Sequence, residues 1–246
     1  MGDKRHHPLN KICQGGCDER TVSIPKKIMQ TWKDHDIPLH WQGSPVSIQH
    51  HMPDWEYIFL TDPEIQDYME QHHPEYLEYF NNFEYVIQKI DFFRVLWLYD
   101  NGGIYMDIKL VCVNGFKLIE LTEANHFVKD RLSPLSIFNS CMVCQQNHPY
   151  LLMAIKKIVN NVNANFYGSN PLEPTGPAML GNLFLNNRLK ANIDMTHYEK
   201  GGFIIFKNRF VISTEYPEYN SERTNTYNSI NTKRYDALWF EKKIYK

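Results

Sequence analysis

The sequence has no long apolar run. No stretch approaches the roughly 18 apolar residues that a transmembrane helix needs. The N-terminal residues, MGDKRHHPLNKICQGGCDER, lack the apolar segment of a signal peptide. We therefore expect no transmembrane segment and, by default, a cytoplasmic location, although a chain that had lost an N-terminal anchor would look the same.

An excess of charge is also missing, and cysteine is scarce. The formal net charge is −2, so nothing in the charge balance suggests a nucleic-acid partner. The five cysteines are an odd number without an evident disulfide framework, which favours a reducing compartment. Cys141-x-x-Cys144 and Cys13-x-x-x-Cys17 have metal-like spacings. We interpret the first pair as part of a buried strand and the second as part of a loose arm, so no zinc is expected.

What is present indicates one globular α/β unit. The chain has 246 residues with 43% hydrophobic and 14% aromatic content, which is enough for one sizeable core. Residues 1–22 are polar and read as a loose N-terminal arm, and residues 23–246 are predicted to form a single domain. Strands and helices alternate in the first half of the chain, which favours an α/β sheet.

The predicted elements are bounded by proline, glycine and capping residues. Residues 24–32 and 55–60 have strand composition. A helix should follow Thr61 or Asp62, either of which can cap it, so Asp62 needs no catalytic role. His148 is expected to pack at a helix start rather than to bind a ligand. Further helices are predicted from Pro74, Pro149 and Thr175, and short strands at 110–113, around 127, and at 140–144, 203–206 and 210–212.

The stretch from Asp91 to Leu110, DFFRVLWLYDNGGIYMDIKL, is the most informative. A helix over about 83–100 places Asp91 and Arg94 three residues apart, as neighbours on its surface. Asn101-Gly102-Gly103 should end this helix. A strand should then run to Leu110, with apolar residues on one face and Tyr105, Asp107 and Lys109 on the other. That polar face is predicted to be the lip of an active site.

This stretch resembles the core motif of glycosyltransferase family 32. The family pattern is matched in register by Ile90-Asp91, Arg94, Leu98-Tyr99, Gly102-Gly103, Ile104-Tyr105 and Asp107. Three further segments are similar to the family: IPKKIMQTW, FNSCMVCQQNHPYL and TGPAML. The resemblance runs from about Ile24 to Gly181 and fades in the C-terminal third, where YDALWF stands near the position of a family tryptophan.

The resemblance implies a GT-A type fold, a mainly parallel twisted sheet flanked by helices. It also implies a retaining transfer of a hexose from a UDP- or GDP-sugar to a glycan or another hydroxyl acceptor. Asp107, Arg94 and Asp91 would be the catalytic residues, and Asp107 would bind Mn²⁺ or Mg²⁺ next to the diphosphate. The substrate-binding residues implied in this way are Gln30, Trp32, Asp91, Arg94, Gly103, Tyr105, Lys109, Asn139 and Trp239.

One residue departs from the family pattern. Lys109 stands where the family has a second acidic residue, which leaves three alternatives. Asp107 alone holds the metal while Lys109 contacts phosphate; or Lys109 replaces part of the cation's charge, so that metal binding is weak or absent; or activity has been lost and a nucleotide-sugar-binding or carbohydrate-binding module remains. A nucleotidyltransferase is a further alternative, but the sequence has no glycine-rich basic phosphate loop.

Overall fold

The computed structural model describes residues 22–131, 136–186, 193–198, 201–216, 219 and 235–246. Apart from Val22, the predicted arm lies outside the described residues, as do Cys13 and Cys17, so the division into an arm and one domain stays a prediction. Within the described part of the chain, no helix is long and apolar enough to cross a membrane.

The described strands form one sheet in the order β2-β1-β3-β6-β5-β7-β8-β9-β4. The strands are β1 (Lys27–Trp32), β2 (Glu56–Thr61), β3 (Gly103–Met106), β4 (Val111–Cys112), β5 (His126–Lys129), β6 (Ile137–Cys144), β7 (Met195–Tyr198), β8 (Phe203–Phe206) and β9 (Arg209–Ser213). Residues 24–26, which we expected to begin the first strand, precede β1.

The α/β class is confirmed, and the sheet is mixed. Parallel pairing joins β2, β1 and β3, as expected for the first half of the chain, and also joins β5 to β7. The other pairings are antiparallel, so "mainly parallel" describes only the β2-β1-β3 part. One reason is local: Lys207 and Asn208 both have positive φ, of 47° and 60°, which is the geometry of the tight turn that returns β8 into β9.

Helices pack against this sheet. They are α1 (Gly43–His51), α2 (Asp62–His72), α3 (Leu77–Asn82), α4 (Val86–Asn101), α5 (Pro149–Asn163), α6 (Pro177–Asn186) and α7 (Tyr235–Phe240). Thr61 caps α2 in a reciprocal arrangement with Glu64, so the predicted cap is confirmed at Thr61, and Asp62 is the first helical residue. Helix α5 begins after His148, whose imidazole accepts a hydrogen bond from the N–H of Tyr150.

Alternate residues of the central strands enter two different apolar clusters. Met29 and Tyr105 pack with α4 and α5 on one face of the sheet, whereas Ile28, Ile104 and Met106 pack on the other. Both faces are therefore buried at β3, and Tyr105 is only 1% exposed. The expectation of a polar face on β3 was wrong at Tyr105, because α4 covers that face.

The predicted strand over residues 104–110 is also too long. β3 ends at Met106, and the chain turns at Asp107, whose carbonyl oxygen accepts a hydrogen bond from the N–H of Leu110 at 2.9 Å. The turn lifts Asp107 and Lys109 away from strand geometry at the carboxyl end of β3. Both side chains therefore reach an open cleft instead of the buried face under α4.

The two glycines before β3 are required by the backbone. Gly102 ends α4 with a φ of +64°, as the sequence predicted. Gly103 has a φ of +103°, and a Cβ atom there would lie 2.6 Å from the carbonyl oxygen of Lys27. Only glycine lets β3 approach β1 this closely.

Candidate active site

The candidate site lies where β1 and β3 end. Because these strands are parallel, their carboxyl ends meet at one edge of the sheet, which is where α/β proteins bind ligands. β6 is antiparallel to β3 and pairs Cys141 with Met106, so Asn139 arrives at the same edge. Helix α4 brings Asp91 and Arg94 there as well.

Asp91 is a buried carboxylate held by two hydrogen bonds. Its Oδ1 accepts from Nδ2 of Asn139 at 2.8 Å, and its Oδ2 accepts from the hydroxyl of Thr175 at 3.0 Å. Nη2 of Arg94 lies 3.5 Å from Oδ1. Burial raises the pKa of Asp91, against the opposing effects of Arg94 and the two hydrogen bonds. The carboxylate is thus oriented for recognition by contacts from β6 and the loop before α6.

Arg94 is fixed by contacts on all sides of its guanidinium. Nη1 donates to the carbonyl oxygen of Asn139 at 2.9 Å and lies 3.4 Å from Oδ1 of Asp107. The guanidinium carbon lies 4.5 Å from the centroid of the Tyr105 ring, a cation–π distance. A buried, pre-oriented planar donor of this kind suits oxygen-rich ligands.

Asp107 connects the cationic groups of the site. Its Oδ1 accepts from the hydroxyl of Tyr105 at 3.0 Å, and its Oδ2 lies 3.5 Å from Nζ of Lys109. Burial alone would raise the pKa of Asp107, but Arg94 and Lys109 outweigh it and hold the pKa below its ordinary value. Asp107 is therefore ionised at neutral pH. Burial raises the pKa of Tyr105, so its hydroxyl remains a donor.

Two cavities meet at these residues. The first, of about 340 Å³, is lined on one side by Asp91, Arg94, Asp107, Lys109 and Asn139. The second, of about 240 Å³, is lined by Trp32, Trp41 and Tyr105, and it also contacts Arg94, Asp107 and Lys109. The charged residues therefore stand at the junction, where one ligand would span both spaces.

The second cavity has an aromatic wall. The rings of Trp32 and Trp41 meet edge to face at a centroid distance of 4.8 Å, and the Tyr219 ring lies 5.8 Å from that of Trp41. Both indole N–H groups are buried without a hydrogen-bond partner among the residues that the structure describes. An aromatic wall of this kind suits the face of a flat ring.

Three residues implied as substrate-binding lie outside both cavities. Gln30 is fully buried and donates to Ser44 at 3.0 Å and to the carbonyl oxygen of Asp107 at 3.4 Å, so it supports the turn after β3. Gly103 is at the opposite end of β3 from Asp107, where it serves the approach to β1. Trp239, in α7, donates to the carbonyl oxygen of Tyr167 at 2.6 Å and lines neither cavity.

Several residues of the two cavities were not predicted from the sequence. Trp41 follows a proline-rich loop and becomes visible only when its helical turn folds against Trp32. Thr175 was noted as part of TGPAML, but its contact with Asp91 was not foreseen. Asp130, His197 and Thr214 also line the first cavity, and they lie in or directly after β-strands whose pairing joins distant parts of the chain.

Two groups that we did not assign to a site are structural. Cys141 and Cys144 are both fully buried, but they belong to opposite apolar clusters, and burial raises the pKa of both thiols. They cannot share a metal. Burial lowers the pKa of His148 to about 4, so it is a neutral helix cap, as expected.

The part of the chain that carries Asp91, Arg94 and Asp107 matches a known protein family. Residues 38–127 match the family model described as the glycosyltransferase sugar-binding region containing DXD motif. The resemblance to the DXD-type glycosyltransferases is confirmed. Residues 38–127 include Asp91, Arg94 and Asp107.

Yeast mannosyltransferases are among its relatives. Inositol phosphoceramide mannosyltransferase 3 of Schizosaccharomyces pombe is 32% identical over 162 residues, which is 65% of this chain and 45% of that protein. A mannosyl phosphorylinositol ceramide synthase of Saccharomyces cerevisiae is 35% identical over 136 residues, which is 55% of this chain and 35% of that protein. This chain spans less than half the length of these curated relatives.

A solved structure titled PaToxG glycosyltransferase also aligns with this chain. The alignment covers 68% of this chain and 70% of the other, with 17% sequence identity and a TM-score of 0.47. A likeness of this size has no bearing on the site, which therefore stands on its own geometry and on the family match.

Proposed function

We propose that this protein is a glycosyltransferase that moves a hexose from a nucleoside-diphosphate sugar to a hydroxyl acceptor with retention of the anomeric configuration. The observation that carries this proposal is the convergence of Asp91, Arg94 and Asp107 at the junction of two cavities. The family match over the same residues supports it. Since the relatives are named as mannosyltransferases, mannose is the first hexose to test.

The donor would occupy both cavities. Its base would lie against the aromatic wall of Trp32 and Trp41 in the second cavity. Its sugar would lie in the first cavity, where Asp91 accepts from sugar hydroxyls and Arg94 donates to sugar oxygens. The diphosphate between them would lie at the junction, next to the cationic groups of Arg94 and Lys109.

The chemistry needs charge stabilisation more than a protein nucleophile. Transfer breaks the bond between the anomeric carbon and the phosphate oxygen and forms a bond from that carbon to the acceptor oxygen. The acceptor hydroxyl loses its proton to the departing phosphate, so no separate general base is assigned. Arg94 and Lys109 would stabilise the negative charge that develops on the leaving diphosphate.

The resemblance implies a divalent cation held by two acidic residues, and the donor set here does not fit such a site. Lys109 replaces the second acid, and both oxygens of Asp107 already face a cationic nitrogen at 3.4 and 3.5 Å. The described residues contain no group of three His, Cys, Asp or Glu side chains that could hold a metal. An ion on Asp107 would meet the Lys109 ammonium and be repelled. Of the alternatives left open, this geometry favours Lys109 in place of the cation's charge.

The experiment is a donor panel with the purified chain. UDP- and GDP-hexoses, including GDP-mannose, are incubated with and without a hydroxyl acceptor, and nucleoside diphosphate release is measured. Release supports a glycosyltransferase. Donor binding by calorimetry without turnover would instead indicate a binding module, and release of pyrophosphate would indicate a nucleotidyltransferase. A cytoplasmic location stays a prediction.

A further inference from the structure

The first cavity is also lined by a second set of polar side chains, Asp130, His197 and Thr214, which form one wall of it. Asp130 directly follows β5, His197 lies in β7 and Thr214 directly follows β9. These three residues are 5%, 4% and 2% exposed, respectively. Burying polar groups is costly unless they are satisfied by partners or kept for a ligand.

The set is arranged around the imidazole of His197. Its Nε2 lies 2.8 Å from the hydroxyl oxygen of Thr214, within hydrogen-bond distance. Its Nδ1 lies 3.6 Å from Oδ1 of Asp130, too far for a hydrogen bond, and has no hydrogen-bond partner in the part of the chain that the structure describes. The centroid of the Phe138 ring lies 4.3 Å from that of the imidazole, and the two ring planes are tilted by 44°. The set therefore keeps unused hydrogen-bonding capacity next to the cavity.

This wall lies outside the part of the chain that matches the family model. That match ends at residue 127, whereas the wall begins at Asp130. We propose that Asp130, His197 and Thr214 form the subsite for the acceptor, and that the acceptor is an uncharged polyhydroxyl group such as a sugar or cyclitol ring.

The charge balance of the wall supports an uncharged ligand. Asp130 is acidic, and the neighbouring cation, Arg131, is paired with Glu215. Among the residues that the structure describes, this wall therefore carries no unpaired positive charge with which to attract a phosphate or a carboxylate. Carboxylate, hydroxyl and imidazole groups together can accept from and donate to the hydroxyls of a ring. This inference deepens the proposed function and rests on it.

The test compares transfer with donor hydrolysis. Methyl α-mannoside and myo-inositol serve as uncharged probes, and glycerol 3-phosphate serves as an anionic one. For each enzyme variant, the ratio of transfer to hydrolysis is measured at saturating donor. We expect the uncharged probes to act as acceptors or to slow hydrolysis by occupying the subsite, and Thr214→Val and Asp130→Asn to lower the ratio at least tenfold. Thr122→Val, a matched change outside the cavity, should leave it unchanged.

The outcomes separate this inference from the proposed function. Unchanged ratios in both wall variants, no effect of the uncharged probes, or a preference for glycerol 3-phosphate would each overturn the acceptor subsite while the glycosyltransferase stands. If the wild type turns over no donor, the proposed function fails instead. In that case, calorimetry measures whether myo-inositol alone binds at the proposed acceptor subsite. Binding that Thr214→Val weakens tenfold supports the subsite, and absence of binding overturns it.

Discussion

Nζ of Lys109 lies 3.5 Å from Oδ2 of Asp107, and the other oxygen of the same carboxylate lies 3.4 Å from Nη1 of Arg94. Asp107 thus holds two cationic side chains at the junction of the two cavities. Asp107 stands at the first acidic position of the family pattern, and Lys109 places a cation at the second. Arg94 and Lys109 are thus oriented by the same carboxylate, that of Asp107.

Removing divalent metal ions tests whether the Lys109 ammonium takes the place of a metal ion's charge. Because the Lys109 ammonium stands in for cationic charge, we expect wild-type turnover of the donor to survive chelation by EDTA. Lys109→Asp restores the second acid, so this variant should need added Mn²⁺. Lys109→Met should lower kcat at least about tenfold, which is about 1.4 kcal/mol of barrier, without rescue by metal. Loss of wild-type turnover on chelation, restored by Mn²⁺, would show instead that Asp107 holds the ion.

Asp91 should separate sugar recognition from nucleotide recognition. Asp91→Asn removes a charged acceptor, and a hydrogen bond to a charged group contributes about 1.5–3 kcal/mol. We expect kcat/KM for the donor to fall by roughly tenfold to a hundredfold. The affinity for the nucleoside diphosphate, which lacks the sugar, should stay the same by calorimetry. Asp67→Asn on the exposed face of α2 is the control. An equal loss of affinity for both ligands would contradict the assignment.

The aromatic wall predicts where the nucleotide base binds. Stacking of a base on an aromatic side chain is worth about 1–3 kcal/mol by alanine substitution. Trp41→Ala should therefore weaken nucleoside diphosphate binding by roughly fivefold to a hundredfold. Trp239→Ala is the matched control, because Trp239 lies outside both cavities. If Trp239→Ala weakens binding and Trp41→Ala does not, the second cavity is not the base site.

Asp62 gives a pH dependence of stability with a defined sign. Burial, and then the charge of Asp34, raise its pKa from 3.8 to about 6. Its protonated form is favoured in the folded state, so this contribution to stability is present below pH 3.8 and is lost as the pH rises through about 6. Asp62→Asn should therefore stabilise the protein at neutral pH, by about 1 kcal/mol after a discount for partial exposure.

Chemical denaturation of the wild type and of Asp62→Asn at pH 7 and at pH 4 checks the predicted gain in stability. The gain from Asp62→Asn should disappear at the lower pH, where the wild-type carboxyl is already protonated. The control is again Asp67→Asn, which makes the same change of charge on the same helix at an exposed position. If the two variants change the free energy of unfolding equally at pH 7 and at pH 4, burial of Asp62 is not the cause of the pH dependence.

Local patterns predicted the half of the site that is close in sequence. The spacing of Asp91 and Arg94 fixes them on one helix, and the two glycines fix the entry into β3. The pattern failed at Asp107 because alternation cannot show where a strand ends. The strand ends at Met106, one residue after Tyr105, and the N–H of Leu110 then donates a hydrogen bond to the carbonyl oxygen of Asp107.

The remaining parts of the site depend on long-range packing. Thr175 reaches Asp91 only because α6 packs against β6, and nothing at Thr175 itself encodes that distance. Asp130 and His197 meet because β5 and β7 pair in parallel, although 67 positions separate them in the sequence. Gln30 shows the opposite case. The family resemblance implied ligand contact for Gln30, which lies within β1, whereas its amide donates to the backbone carbonyl oxygen of Asp107.

Asp107 is the residue on which the proposed activity depends most directly. Donor turnover is measured for the wild type, Asp107→Ala and Asp107→Asn, with melting temperatures to establish that each variant is folded. We expect both changes to lower turnover at least about a hundredfold, which is about 2.7 kcal/mol of barrier, because Arg94 and Lys109 lose the carboxylate that orients them. Undiminished turnover in a folded Asp107→Ala variant would contradict the assignment of this site.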